Sequence, residues 1–297
     1  QRGAANALSV LEPADLPDEP LSSRLLLNVL VAAIVGFALA AGGAYLIEYL
    51  DDSIKDAEDA KQVFGLPLLA MVPEMVTEDD AEKLIMLSNA PHPAAEAYRM
   101  LRTNLQFAAV ERSLRLLLVT SPSPEDGKSL TAANLSAAYT RAGKRVILVD
   151  ADLRKPSQQD LWGIPSERGL TSMMLDDVAM SNPPLIATNV DKLHILPAGP
   201  LPPNPADLLS SQRMDSIIGV LKARASFVLF DVAPVLAASD AAALGTKVDA
   251  ALLVVRAGTS QRTHVSRAKE SLERVHVRLL GAVLSNAPRE SDSVRYG

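Results

Sequence analysis

The sequence predicts an α/β fold: a doubly wound parallel sheet of P-loop type, flanked by helices and preceded by one transmembrane helix. Three observations predict it. Residues 25–47, LLLNVLVAAIVGFALAAGGAYLI, carry no charge. Short apolar runs at 114–120, 146–149, 194–196, 227–230, 250–255 and 279–284 alternate with helical patterns, as buried parallel strands joined by crossover helices do. The first of these runs leads into Gly127–Lys128–Ser129 at the head of a helix, the ending of a phosphate-binding loop.

The chain has 297 residues and a net charge of −6. That length is about two domains' worth. The acidic balance excludes a general nucleic-acid binder, which needs a cationic surface. There is no cysteine, so disulfides, thiol catalysis and Cys-ligated metal centres are excluded. The four histidines lack zinc-site spacing. Gln1 is not a start methionine, and the chain reads as a piece of a longer protein.

In chain order, residues 1–24 read as an extracytoplasmic connector with Pro13, Pro17 and Pro20. Residues 25–47 form a helix roughly 35 Å long, enough to span a bilayer. Within it Ala32, Gly36, Ala40 and Ala44 repeat every fourth residue, spacing that lets membrane helices approach or that lipid tolerates. Residues 48–93 read as a juxtamembrane segment. Its acidic start, 48–62, is expected to continue the membrane helix to the stop at Gly65–Leu66–Pro67. A short strand at 68–73 and a polar linker over 74–92 follow. Residues 94–287 form the nucleotide domain. It opens on a helix over 94–109 with Tyr98, Leu101, Leu105 and Ala108 on one side. The strand 114–120 is apolar throughout apart from Arg115, as a strand buried on both faces is. A helix over 130–142 and the strand 146–149 come next, then the remaining strands with helices between. Residues 288–297, PRESDSVRYG, lack apolar periodicity and read as a mobile tail.

The loop 121–129, SPSPEDGKS, carries the chemistry. Backbone N–H groups at a helix N-terminus cradle phosphates. Gly127 admits close backbone approach, Lys128 neutralises phosphate oxygens and Ser129 supplies an oxygen to Mg²⁺. The usual leading glycine is replaced by Pro122. Asp150 and Asp152 follow one strand and Asp231 ends another. A lone Asp at such a place is commonly a cap, but three at the ligand edge of the sheet suit a metal–nucleotide site.

Together these motifs resemble the bacterial tyrosine autokinases, the cytoplasmic kinases of polysaccharide co-polymerases. The phosphate loop is SPSPEDGKS, the second motif is DADLR (150–154) and the third is DVAP (231–234). The helix motif E-x-x-R-x-x-R appears as Glu96, Arg99 and Arg102, and N-P-x-D-L-L as residues 204–209. The resemblance covers nearly the whole chain. Ala233 departs from the family's proline, and the family's C-terminal tyrosine cluster is reduced to Tyr296. The related partitioning ATPases carry a lysine early in the loop, and residues 121–126 have none.

The resemblance implies ATP-dependent tyrosine autophosphorylation with Mg²⁺, in trans between subunits of a ring. Expected nucleotide contacts are Ser123, Glu125, Asp126, Gly127, Lys128, Ser129 and Leu130, with Asn286 near the base. Lys128, Asp150, Asp152 and Asp231 are expected to be catalytic. Ser129, Asp150, Asp152 and Asp231 are expected to hold the metal, and Asp150 or Asp152 to take the tyrosine proton. Glu96, Arg99 and Arg102 would lie at the subunit interface, and Tyr296 would accept phosphate. Implied partners are further copies of the chain, a polysaccharide polymerase and export machinery, a phosphotyrosine phosphatase and the membrane. ATP is cytosolic, which would place the protein in the bacterial inner (plasma) membrane with its kinase domain on the cytoplasmic side. The alternative is a nucleotide-gated scaffold that controls polysaccharide length with little phosphotransfer.

Overall fold

A computed structural model describes residues 24–75, 83–88, 91–110 and 112–288. It divides into two units between Asp51 and Asp52. The first holds α1 (Leu25–Leu50), a helix with no buried residue. Its length and its mean hydropathy of 2.4 are those of a membrane span.

The second unit begins with α2 (Ala57–Phe64), β1 (Leu68–Pro73), α3 (Pro93–Ala108), β2 (Leu116–Thr120), α4 (Lys128–Arg141) and β3 (Val146–Asp150). It continues with α5 (Gln158–Trp162), α6 (Leu170–Leu175), α7 (Asp177–Ser181), β4 (Ile186–Ala187), β5 (Leu193–Leu196), α8 (Pro205–Ser210) and α9 (Gln212–Arg224). It ends with β6 (Phe227–Asp231), α10 (Asp240–Gly245), β7 (Ala250–Arg256), α11 (Arg262–Arg274) and β8 (Leu279–Ala287).

The eight strands form one sheet in the order β1-β8-β7-β2-β6-β3-β5-β4. All neighbours are parallel except β4 and β5. Every residue of β2, β3 and β6 is buried, because helices cover both faces. Alternate residues serve opposite layers. Leu117, Leu148 and Leu229 pack with Tyr98, Leu101 and Leu105 of α3 and Leu135 of α4. Leu118, Ile147 and Phe230 pack with Ile217 and Leu221 of α9, Leu244 of α10 and Leu272 of α11. The chain leaves β2 towards β3 on one side and later returns to β7 on the other. The strand ends around β2 are therefore the crevice where such sheets bind ligands.

Three expectations need correction. The membrane helix does not run on through 48–62: α1 stops at Leu50, and Asp51 is extended. Ser53 then bridges to Gln261, and Ile54 is fully buried beside Leu253, Val255 and Leu284. Helix α2 starts afresh, its first N–H groups capped by the Asp56 carboxylate. Burial of an apolar side chain and a good N-cap outweigh the helical continuity that the acidic stretch suggested. The run 68–73 is a strand, as expected, but it belongs to the main sheet, paired with β8, and not to a separate juxtamembrane segment. Part of the expected linker is structured too: Met86 is buried, and its N–H donates to Asn134 Oδ1 at 3.0 Å. The folded domain thus begins near Asp52, not at 94.

Candidate nucleotide site

The phosphate loop is built by the junction of β2 and α4. Gly127 has φ +92°, a left-handed conformation that disfavours any side chain. A Cβ there would also come within 3.3 Å of Ser285 Oγ. Lys128 opens α4, so the loop ends on a helix N-terminus with unpaired N–H groups.

Lys128 is nearly buried, and its ammonium lies among carboxylates. Nζ is 2.8 Å from Asp152 Oδ2 and 3.4 Å from Asp231 Oδ1, and donates to Ser129 Oγ at 3.0 Å. Burial opposes its charge, but Asp231, Asp152 and Asp150 prevail and hold its pKa above the ordinary lysine value. Asp150, like Asp231, is fully buried. Burial, with the nearby Asp231 carboxylate, pushes it up to about 8. Its Oδ2 accepts N–H bonds from Ser157 at 3.0 Å and Gln158 at 2.9 Å. Asp152 Oδ1 accepts from the Lys155 N–H at 3.0 Å.

Beside the loop opens a cavity of about 500 Å³, a size suited to a small ligand. Gly127, Leu130, Glu125 and Asn286, four of the residues expected to contact nucleotide, line it. Val72 to Met75, Tyr98 and Arg256 line it as well, and sequence reasoning missed them. Arg256 ends a buried strand at the ligand edge, which is a usable signal. The β1 residues gave none, because their run was separated from the domain.

Two expected residues are placed differently. Asp126 is buried and does not line the cavity. Its carboxylate accepts from Ser260 Oγ at 2.7 Å and the Ser123 N–H at 2.9 Å, so it braces the loop. Ser123 itself lies beside His264, 3.5 Å away. Arg102 is separated from Glu96 and Arg99. Those two pair on the exposed side of α3, whereas Arg102 is half-buried and reaches the Ala138 carbonyl at 3.4 Å. Tyr296 lies outside the described residues. Among the described residues, no three His, Asp or Glu side chains form a ready cation cage. Asp150, Asp152 and Asp231 converge, but their oxygens are already engaged by Lys128, Gln158 and backbone N–H groups.

Residues 117–293 match the family of the CobQ/CobB/MinD/ParA nucleotide binding domain. The tyrosine-protein kinase YwqD of Bacillus subtilis is 40% identical over 203 residues, 68% of this chain and 85% of that protein. The chain belongs to the bacterial tyrosine-protein kinases. The tyrosine-protein kinase etk of Escherichia coli K12 is 27% identical across 98% of this chain. This chain spans only 42% of etk, so it corresponds to part of the longer members. The solved BceF tyrosine kinase domain superposes with a TM-score of 0.72 at 31% identity, covering 80% of this chain and all of that one. The kinase domain of this chain is accordingly a nucleotide-binding P-loop domain.

Proposed function

We propose that the chain is an ATP-dependent protein-tyrosine autokinase that controls polymerisation and export of a bacterial polysaccharide. One observation carries this: a buried lysine at the head of α4, among three strand-end carboxylates and beside a nucleotide-sized cavity. The Gly127 turn and the α4 N-terminus would cradle the phosphates. Lys128 would turn from Asp152 and Asp231 to the transferring phosphoryl group and neutralise it. Leu130 and Asn286 would face the base and ribose side. The donor chemistry fits magnesium, which takes one or two carboxylates and completes its shell with phosphate and water. Ser129 Oγ with Asp152, Asp231 or Asp150 would hold it, and the ion would supply charge to the phosphates. Burial raises the proton affinity of Asp150, which suits a group that takes a tyrosine proton. Asp152, freed when Lys128 turns away, is the other candidate base.

The helix α1 would cross the inner membrane with the kinase domain in the cytoplasm, where ATP is. Subunits would form a ring through Glu96, Arg99 and their neighbours, and phosphorylate one another at Tyr296. Tyr98 and Tyr139 are buried and unsuited to that role. A polysaccharide polymerase, export machinery and a phosphatase would be the partners. Incubation of the chain with Mg·ATP should yield phosphotyrosine. Tight ATP binding without any phosphotyrosine would favour the nucleotide-gated scaffold instead.

A further inference from the structure

We propose that Gln158 is a positioning residue for Asp231, and that Trp162 fixes Gln158 in that role. The inference rests on the nucleotide reading of the site. Gln158 is fully buried at the start of α5, yet its side-chain amide and its backbone N–H all have partners. Its side-chain Nε2 donates to Asp231 Oδ2 at 2.8 Å and to the Ser129 carbonyl at 3.0 Å. Its Oε1 accepts from Trp162 Nε1 at 3.2 Å. Its backbone N–H donates to Asp150 Oδ2. The orientation of the amide is fixed by chemistry. The Ser129 carbonyl and the Asp231 carboxylate only accept, so they must meet the NH₂ group. The indole N–H only donates, so it must meet the oxygen.

One residue thus ties together the loop serine and α5 with two strand-end carboxylates, Asp231 through its side chain and Asp150 through its backbone N–H. The two oxygens of Asp231 are divided between Gln158 and Lys128. When Lys128 turns to phosphate, Oδ1 is released while Gln158 keeps Oδ2. The carboxylate is then held at one oxygen with the other aimed at the phosphate side. A neutral amide suits this task. A cation in its place would cancel the negative charge that attracts magnesium, and a carboxylate would repel Asp231 and Asp150. Trp162 prevents the amide from turning its oxygen towards Asp231, where two acceptors would face each other.

The test uses the full 297-residue chain in detergent micelles, with ADP and magnesium chloride as probes. ADP affinity is measured by calorimetry in EDTA and across a magnesium titration, and phosphotyrosine formation gives kcat. Gln158→Met matches the side chain in volume without donors. Gln158→Leu is close to it in size and likewise carries no donor. Both should leave ADP affinity in EDTA within about twofold of wild type. Both should raise the magnesium concentration for half-effect at least about fivefold and lower kcat about tenfold. Trp162→Phe should raise the magnesium requirement about two- to threefold. A role in packing alone would leave the magnesium titration of the folded variants as in wild type, and that result would overturn the proposal. Should neither Gln158 variant fold, Trp162→Phe decides, and an unchanged magnesium requirement counts against us. Wild-type chain that gains no ADP affinity from magnesium would instead defeat the nucleotide reading itself.

Discussion

At the scale of single residues, the site is a balance of buried charges. Lys128 is the cation that lets Asp152 and Asp231 lie together, and its replacement by Met removes charge from the reacting phosphate. Phosphotyrosine formation should fall at least ~100-fold while the far-UV circular dichroism stays native. Turnover near wild type would remove Lys128 from the mechanism. Asp150 gives a pH signature. Its pKa in the fold is raised to about 8 by burial and by Asp231, above an ordinary carboxylate value near ~4. Its contribution to stability is therefore present below about pH 4 and is lost as pH rises towards 8. Asp150→Asn cannot ionise and keeps an oxygen for the Ser157 and Gln158 N–H groups. In the nucleotide-free chain, this variant should gain Tm relative to wild type by at least ~2 °C more at pH 8 than at pH 5. Equal gains at the two pH values would show that Asp150 is already ionised in the fold at pH 5 and that its pKa is not raised. The convergence of Lys128 and Ser129 at the head of α4 with Asp150, Asp152 and Asp231 at or just past strand ends was legible in the sequence, because the strand–loop–helix pattern brings those positions to one edge of the sheet. Gln158 was not, since a buried glutamine several residues past a strand end leaves no pattern. The bracing role of the Asp126 carboxylate was not legible, because spacing cannot tell a loop side chain that lines a cavity from one that braces the loop.

At the scale of elements, the central strands β2, β3, β6 and β7 were legible because each is apolar on both faces, whereas the two-residue β4 left no pattern. The stretch before α3 was not, because its structure depends on contacts with residues two hundred positions away. The N–H of Ile54 donates to the Ser260 carbonyl at 2.9 Å, and its own carbonyl accepts from Gly258 at 2.8 Å. Ser260 in turn holds Asp126, so residues 53–54 and the phosphate loop share a brace. Ile54→Ala should cost about 2–4 kcal/mol in urea unfolding, as a fully buried aliphatic deletion does. A loss under ~0.5 kcal/mol would mean that this segment is undocked in solution. Asp56→Ala should cost about 1 kcal/mol through loss of the α2 cap.

At the scale of the whole molecule, the pair Glu96–Arg99 lies on the exposed side of α3. An exposed pair within one helix is worth only a few tenths of a kcal/mol, so removing it should hardly change stability. If α3 meets a neighbouring subunit, Arg99→Ala with Glu96→Ala should shift the chain to smaller assemblies by light scattering. An unchanged mass would place the interface elsewhere. Arg102→Ala differs: its half-buried contact with α4 makes a loss of stability the expected result.

The central claim is that one subunit's phosphate loop serves another subunit's tyrosine. Two variants mixed with Mg·ATP test it. The Lys128→Met chain lacks the phosphate lysine but keeps Tyr296, and the Tyr296→Phe chain keeps the lysine but lacks that acceptor. Mass spectrometry of the mixture should find phosphate on Tyr296 of the Lys128→Met chain, and none when that chain is incubated alone. Phosphate confined to serine, or none on either chain while both remain assembled and ATP-bound, would contradict the account.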